Sequence, residues 1–468
     1  MSPADAGAQL LAGGSENDSH HDSHDLLHGP LKPVILRLAG PVLALEALHT
    51  TYHLIDLFWV GRLGAAASAA LTTSLFAVWM MDGLAESVGI GILAQVARAL
   101  GAGDRVRAGY VAAQGVLVCL IFGVLLATAG RFLPAPLFNF LGVPADVAML
   151  GSAYLSTLLI GAPALFLMVA AESIWRATGD TVTPLKVIGA SILANAFVNP
   201  LLIFGLGPFP ELGIAGTAWA TVLAWVGAVI AFILLASRRG ARVPLDRRGL
   251  LRPDPRIMLR TVRIGIPRFL VSALFSSVYL SLAGLVARFG TAALAVLGIV
   301  NRLESIVYMA CSAIGAATAT LVGQNLGALK PDRAARAADT AAGLAMALAL
   351  VPGLAMIAVP GLLIRPFTDD LEVMRLSAPY LRIIGICQIF MALEIVYAHA
   401  FAGAGDTLPP MLIELPISVS RVPLAWLAGF SLGLELIGVA WVLSLTCCLR
   451  GVWIALWFRT GRWKHRRF

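Results

Sequence analysis

Long apolar stretches alternate with short polar ones along the whole chain. Apolar runs recur at about 34–60, 66–97, 107–130, 148–172, 184–204, 214–236, 260–288, 293–326, 334–360, 376–402, 408–431 and 436–458. Each is about 20 residues or longer, enough for an α-helix to cross a hydrocarbon core, with room to tilt in the longest. The pattern predicts an all-α polytopic membrane protein with 12 transmembrane helices. The first run also carries residues that a bilayer penalises. Glu46, His49, His53 and Asp56 share an arc of about 80° on one helix face. An ionisable group at mid-membrane costs about 2.5 to 3.5 kcal/mol on insertion scales, so this stripe is expected to face protein or a water-filled cavity.

Composition agrees with the periodicity. Hydrophobic residues make up 59% of the 468 and charged residues 13%, against about 25% charged in soluble domains. The net charge of +8 does not point to a nucleic-acid partner, because the arginines sit in short loops between apolar runs. With the N-terminus placed in the cytoplasm, 23 Lys and Arg fall on that side and five (Arg62, Arg131, Arg288, Arg365 and Arg375) on the other. The expected location is therefore a bacterial cell (inner) membrane, multi-pass, with both termini cytoplasmic. No cleavable signal peptide is expected, so the first span serves as its own insertion signal. The five cysteines lie in apolar runs without CxxC or zinc spacing.

Residues 1–30 read as a disordered cytoplasmic tail containing His20, His21, His24 and His28. Three of these would share a helix face, which leaves metal binding as the alternative for the tail. The expected division is then a six-helix lobe at 31–236, a basic cytoplasmic linker at 237–260, a second six-helix lobe at 261–460 and a basic tail at 461–468. An internal repeat supports the two lobes. One offset of 226 residues places Pro41 on Pro267, Arg62 on Arg288, Gly64 on Gly290, Leu100-Gly101-Ala102 on Leu326-Gly327-Ala328 and Gly179-Asp180-Thr181 on Gly405-Asp406-Thr407. After a four-residue deletion, Gly216, Ala218 and Trp219 meet Gly438, Ala440 and Trp441. Six spans per copy make the repeats parallel, which implies a pseudo-axis along the membrane normal and a substrate path between the lobes.

Several motifs in order carry a family resemblance. They are Asp56-Leu57-Phe58-Trp59-Val60-Gly61-Arg62-Leu63-Gly64, Ala177-Thr178-Gly179-Asp180-Thr181-Val182-Thr183-Pro184, Asn195-Ala196-Phe197-Val198-Asn199-Pro200, Val322-Gly323-Gln324-Asn325-Leu326-Gly327-Ala328 and Ala404-Gly405-Asp406-Thr407. In this order and spacing the chain resembles the multidrug and toxic compound extrusion (MATE) transporters over nearly all of 31–460. The resemblance implies export of cationic or amphiphilic compounds in exchange for H⁺ or Na⁺. It places Asp56 at the family's first-span aspartate, central to cation coupling, and Asn195 and Asn199 at the polar pair of the fifth span. Related members have Asn and Asp there, so the second carboxylate is an amide in this chain. Tyr154 and Thr217 match the remaining oxygen donors by spacing. Acids that some bacterial members carry in the seventh and tenth spans are missing here, where Phe275-Ser276-Ser277 and Met391 stand.

The polar residues add chemistry of their own. Glu46, His49, His53 and Asp56 align with Ser272, Phe275, Tyr279 and Leu282, so the architecture alone does not demand the charges. They are read as cation-coupling residues, the histidines alternatively as hydrogen-bonded core. Na⁺ is admitted at Asp56, Asn195 and Asn199; no other metal and no cofactor is expected beyond the coupling H⁺ or Na⁺. Asp82 and Glu86 share a face of the second span, and Glu304 and Tyr308 one of the eighth. With Glu394 in the tenth span they are assigned to a cationic small-molecule substrate, against the alternative of buried pairing with bases. Membrane lipid is the other expected partner, and a monomer the expected state. No phosphate loop, nucleophile elbow or zinc spacing points to an enzyme. The alternatives are a lipid-linked oligosaccharide flippase, favoured only by Arg421 inside the eleventh span, and a non-transporting membrane sensor on the same fold.

Overall fold

The computed structural model describes residues 26–237, 243 and 246–465; those residues are helical nearly throughout and include no strand. In chain order the helices are α1 (Leu31–Gly61), α2 (Ala65–Gly101), α3 (Arg105–Gly130), α4 (Pro134–Leu141), α5 (Ala145–Ile160), α6 (Ala162–Ala177), α7 (Val182–Phe204), α8 (Ile214–Ala236) and α9 (Arg247–Leu251). There follow α10 (Pro255–Val286), α11 (Thr291–Gly327), α12 (Pro331–Ala358), α13 (Pro360–Ile364), α14 (Leu371–Gly403), α15 (Leu408–Trp426) and α16 (Glu435–Arg459).

Among the described residues ten helices are long and apolar enough to cross a membrane, and α5 with α6, bent by 48° at Gly161, adds an eleventh span. The expected twelve is reached only by counting α1. At 31 residues it has the length, and it is the helix that carries Glu46, His49, His53 and Asp56.

The helices form two compact units. The first holds the described residues up to Pro30, Ala44–Ile266 and Gly323–Leu329; the second holds Leu31–Leu43, Pro267–Val322 and the described residues from Lys330. In α1 and α10 the division falls at or near Pro41 and Pro267, which are repeat equivalents. A proline inside a helix removes a backbone donor and clashes with the preceding turn, so each rod is weakest where its proline sits.

Each unit buries a tyrosine in its apolar core. In the first, Tyr154 of α5 lies in a core with Val60, Leu71, Val78, Leu158 and Ile214. In the second, its repeat equivalent Tyr380 of α14 lies among Val278, Leu282, Val300, Leu381 and Ile384. The tight helix crossings are repeated as well. A Cβ at Gly216 would strike the backbone of Leu202, and one at Gly438 the backbone of Ala428. These are the same contact in the two copies, which explains why both positions are glycine.

The chain ahead of α1 is fixed at its described end. Leu26 is buried, its carbonyl accepts from Asn325 Nδ2 at 3.3 Å, and its side chain fills the space over Gly179. The tail histidines 20, 21 and 24 lie outside the described residues. In the linker, buried Gln114 of α3 donates to the carbonyls of Gly249 (2.6 Å) and Arg252 (3.0 Å) and accepts from the Asp254 amide (2.8 Å). This amide side chain ties α9 to α3 within the first unit; Arg238, Arg239 and Arg242 lie outside the described residues. The cysteines form no disulfide among the described residues, and all but Cys448 are buried.

Candidate functional sites in the two units

In the first unit the decisive residue is Asp56. It is 4% exposed, and Asn199 Nδ2 of α7 donates to its Oδ1 at 2.6 Å. Tyr52, one turn earlier on α1, is also hydrogen-bonded to it. The Tyr52 hydroxyl shares a 2.5 Å hydrogen bond with Thr221 of α8. Tyr154 stands within electrostatic reach of both Asp56 and Asp82.

Around this carboxylate the unit keeps polar atoms with no protein partner among the described residues. Asn195 uses neither its Nδ2 nor its Oδ1, Asn199 leaves Oδ1 free, and Thr217 leaves Oγ1 free, all fully buried. Asn195 is one turn before Asn199 on α7, and Thr217 one turn before Thr221 on α8, so each shares a face with a residue of the Asp56 network. An unsatisfied buried polar atom costs about 1–3 kcal/mol. Several together are retained where something besides the protein completes them. Asn195 also lines a largely apolar groove of about 450 Å³ between α7 and α8, with Lys186, Val198 and Ala224.

The rest of the first-span stripe divides. Glu46 lies within electrostatic reach of Glu172 and Arg176, and His49 of Glu172 and Glu86. Both are half-buried, and Glu172 itself is paired to Arg176 at 3.1 Å. His53 is exposed and packs its ring on Tyr52, 5.2 Å between centroids. The structure therefore does not bring His53 to Asp56. The Asp56 partner on its own helix is Tyr52, which the sequence alone did not single out although it lies four residues away. Asp82 is half-buried and Glu86 exposed. Asp180 caps the start of α7, accepting from the amides of Val182 and Thr183 at 3.1 and 2.9 Å.

The second unit has different chemistry in the same frame. Leu282, the equivalent of Asp56, is core. Half-buried Glu304 accepts from Gln388 Nε2 at 3.2 Å and feels the charge of Arg421. Tyr308 is exposed. Glu394 is buried and its Oε1 is bound by Arg450 at 3.2 Å, so it is one half of an ion pair. Arg450 also donates to Ser418 at 3.3 Å. Buried Glu414 is in electrostatic contact with Glu394, Arg268, Arg450 and Arg421. Gln388, Glu414 and Arg450 were missed from sequence. The last two were findable, being charges inside apolar runs.

The sequence profile of the MatE family matches residues 41–201 and again 267–427. The chain belongs to the MatE family. It is a multi-pass membrane transporter of that family, and the two matches stand 226 residues apart, the offset of the internal repeat. Among its relatives, the "Probable multidrug resistance protein NorM" of Thermotoga maritima is 28% identical over 440 residues, 93% of this chain and 94% of that one. The "FAD transporter" of Shewanella oneidensis is 27% identical, over 92% of this MatE chain and 95% of the relative. A crystal structure of MATE in the bent conformation superposes with a TM-score of 0.87 at 23% identity, covering 94% of this chain and 97% of that one. At that identity the superposition establishes the fold.

Proposed function

We propose that this transporter exports cationic or amphiphilic small molecules in exchange for H⁺ or Na⁺ by alternating access, with Asp56 as the coupling carboxylate. The observation that carries the reading is the buried Asp56–Asn199 contact at 2.6 Å, beside oxygens of Asn195, Asn199 and Thr217 that no protein group satisfies among the described residues. Because position 199 is an amide, the cluster holds one formal negative charge, which one monovalent cation neutralises. A proton does so on the carboxylate itself. A sodium ion does so with the carboxylate, amide and hydroxyl oxygens as ligands, the hard donors it favours.

Exchange requires this charge to be neutral whenever the protein changes access, since an uncompensated buried carboxylate is expensive. That couples one cation to one reorientation. Asp82 in the first unit and Glu304 with Tyr308 in the second are the groups offered to a substrate cation. Glu86 is exposed beside Asp82 and joins them, whereas Glu394 is engaged by Arg450 and serves the second unit's ion pair. Relatives named for multidrug resistance and for FAD transport support a small-molecule substrate. The test is efflux from proteoliposomes under an imposed ΔpH or ΔNa⁺. Asp56→Asn is expected to lower ion-driven efflux at least about a hundredfold while retaining substrate binding. If the Asp56→Asn variant pumps like the parent, the mechanism is wrong.

A further inference from the structure

The repeat offset places Arg421 of α15 on Asn195 of α7. Asn195 is the buried amide whose polar atoms find no protein partner among the described residues, beside the Asp56 network. Arg421 thus occupies the second unit's copy of the Asn195 position, and the tyrosine that accompanies it is kept: Tyr380 stands to Arg421 as Tyr154 stands to Asn195 in the alignment. Tyr380 is within electrostatic reach of both Glu304 and Arg421.

Arg421 is 6% exposed, yet its single hydrogen bond to a described residue runs from Nε to the neutral hydroxyl of Thr446, at 2.9 Å. That hydroxyl donates in turn to the carbonyls of Val442 (2.7 Å) and Leu443 (3.0 Å), which fixes its lone pair toward Arg421. The side chain is therefore positioned through Nε while both terminal nitrogens stay uncommitted among the described residues. The acids within electrostatic reach are engaged elsewhere. Glu394 gives its Oε1 to Arg450, Glu304 gives its Oε1 to Gln388, and Glu414 is acted on more strongly by Arg268 and Arg450 than by Arg421. A planar fork held at its base, buried and without a bonded carboxylate, is the arrangement that takes two oxygens of a carboxylate or phosphate.

We propose that Arg421 is an oxyanion subsite in the second unit, so that the transported compounds include zwitterions whose carboxylate or phosphate is held by its two terminal nitrogens. This rests on the small-molecule transport reading above. It also means that the second unit binds no coupling cation at this position, because the arginine supplies a fixed one.

Equilibrium binding to the purified full-length chain in detergent, followed by fluorescence anisotropy, tests the subsite with a matched pair. Rhodamine 110 carries a free carboxylate and rhodamine 123 is its methyl ester. Arg421→Gln is expected to weaken rhodamine 110 at least about tenfold, as loss of a charge-assisted hydrogen bond would, and to leave rhodamine 123 within about twofold. Arg421→Lys keeps the charge without the fork, and Thr446→Val frees the Nε anchor without removing the charge; each is expected to lose part of the carboxylate preference. Equal loss for both dyes in Arg421→Gln, no loss for either, or a parent without measurable affinity for rhodamine 110 would overturn the subsite. Phosphatidylglycerol added to the micelles separates solute from headgroup, and disappearance of the acid–ester contrast in its presence would overturn the solute assignment. Ion-driven efflux of rhodamine 123 is read separately. If it fails in the parent while the acid–ester contrast persists, the exchange reading falls and the subsite stands.

Discussion

Thr217 is buried and its hydroxyl has no protein partner among the described residues, although the residue sits one turn from the Asp56 network. Two consequences of that single atom can be separated. Thr217→Val removes a polar atom that folding leaves unsatisfied, so the melting temperature in detergent is expected to stay equal or rise. If Na⁺ is the coupling ion, the same change removes one ligand and the apparent Na⁺ affinity for driven efflux is expected to fall about tenfold. Unchanged Na⁺ dependence would assign the cluster to protons. At this scale the sequence showed Asp56, Asn195, Asn199, Tyr154 and Thr217, since each is polar within an apolar run or set in a recognisable motif. It did not show Tyr52, because a tyrosine in a span is unremarkable until Asp56 is seen one turn away. It also overextended the stripe: His53 shares the arc on a helical wheel, but an arc of about 80° is wide enough for one edge to be buried and the other exposed.

Between elements, a few polar side chains add to the apolar packing. Gln114 makes three hydrogen bonds to the 249–254 stretch and Tyr110 adds a longer one, at 3.5 Å, to the Arg252 carbonyl, so Gln114→Ala is expected to loosen α9 and speed tryptic cleavage at Arg248 and Arg252 several-fold under native conditions. In the second unit, α14 and α16 share the Glu394–Arg450 pair. Removing one partner leaves a buried charge, at about 3–5 kcal/mol. Arg450→Met alone is expected to lower the melting temperature sharply. The double change Glu394→Leu with Arg450→Met is expected to recover most of the loss, because two apolar groups can replace a buried pair at little cost. The order and approximate ends of the long helices were legible from hydrophobic period, while the break at Gly161 and the short α4, α9 and α13 were not. The pairing of Glu394 with Arg450 was not, since it depends on which faces of α14 and α16 meet, and no local pattern in either helix records that.

Over the whole molecule, the duplication is the feature that organises chemistry. The frame is shared: prolines 41 and 267, tyrosines 154 and 380, the Gly216 and Gly438 crossings. Arg62 and Arg288 are shared, as are Asp180 and Asp406, but the charges at the two sites are not: where the first unit has Asp56, Val78, Met168, Ile188 and Asn195 the second has Leu282, Glu304, Glu394, Glu414 and Arg421. A duplicated frame thus carries unlike charges in its two copies.

The thiols of the molecule bear on its orientation. Four of the five are buried, and Cys448 is half-buried. A membrane-impermeant maleimide therefore meets a nearly silent background in the natural protein, and a single cysteine placed at an exposed loop residue becomes the dominant label. Arg131 and Arg105 are exposed at opposite ends of α3. Arg131→Cys is expected to react in intact cells and Arg105→Cys only after the membrane is opened; the reverse order would place both termini outside.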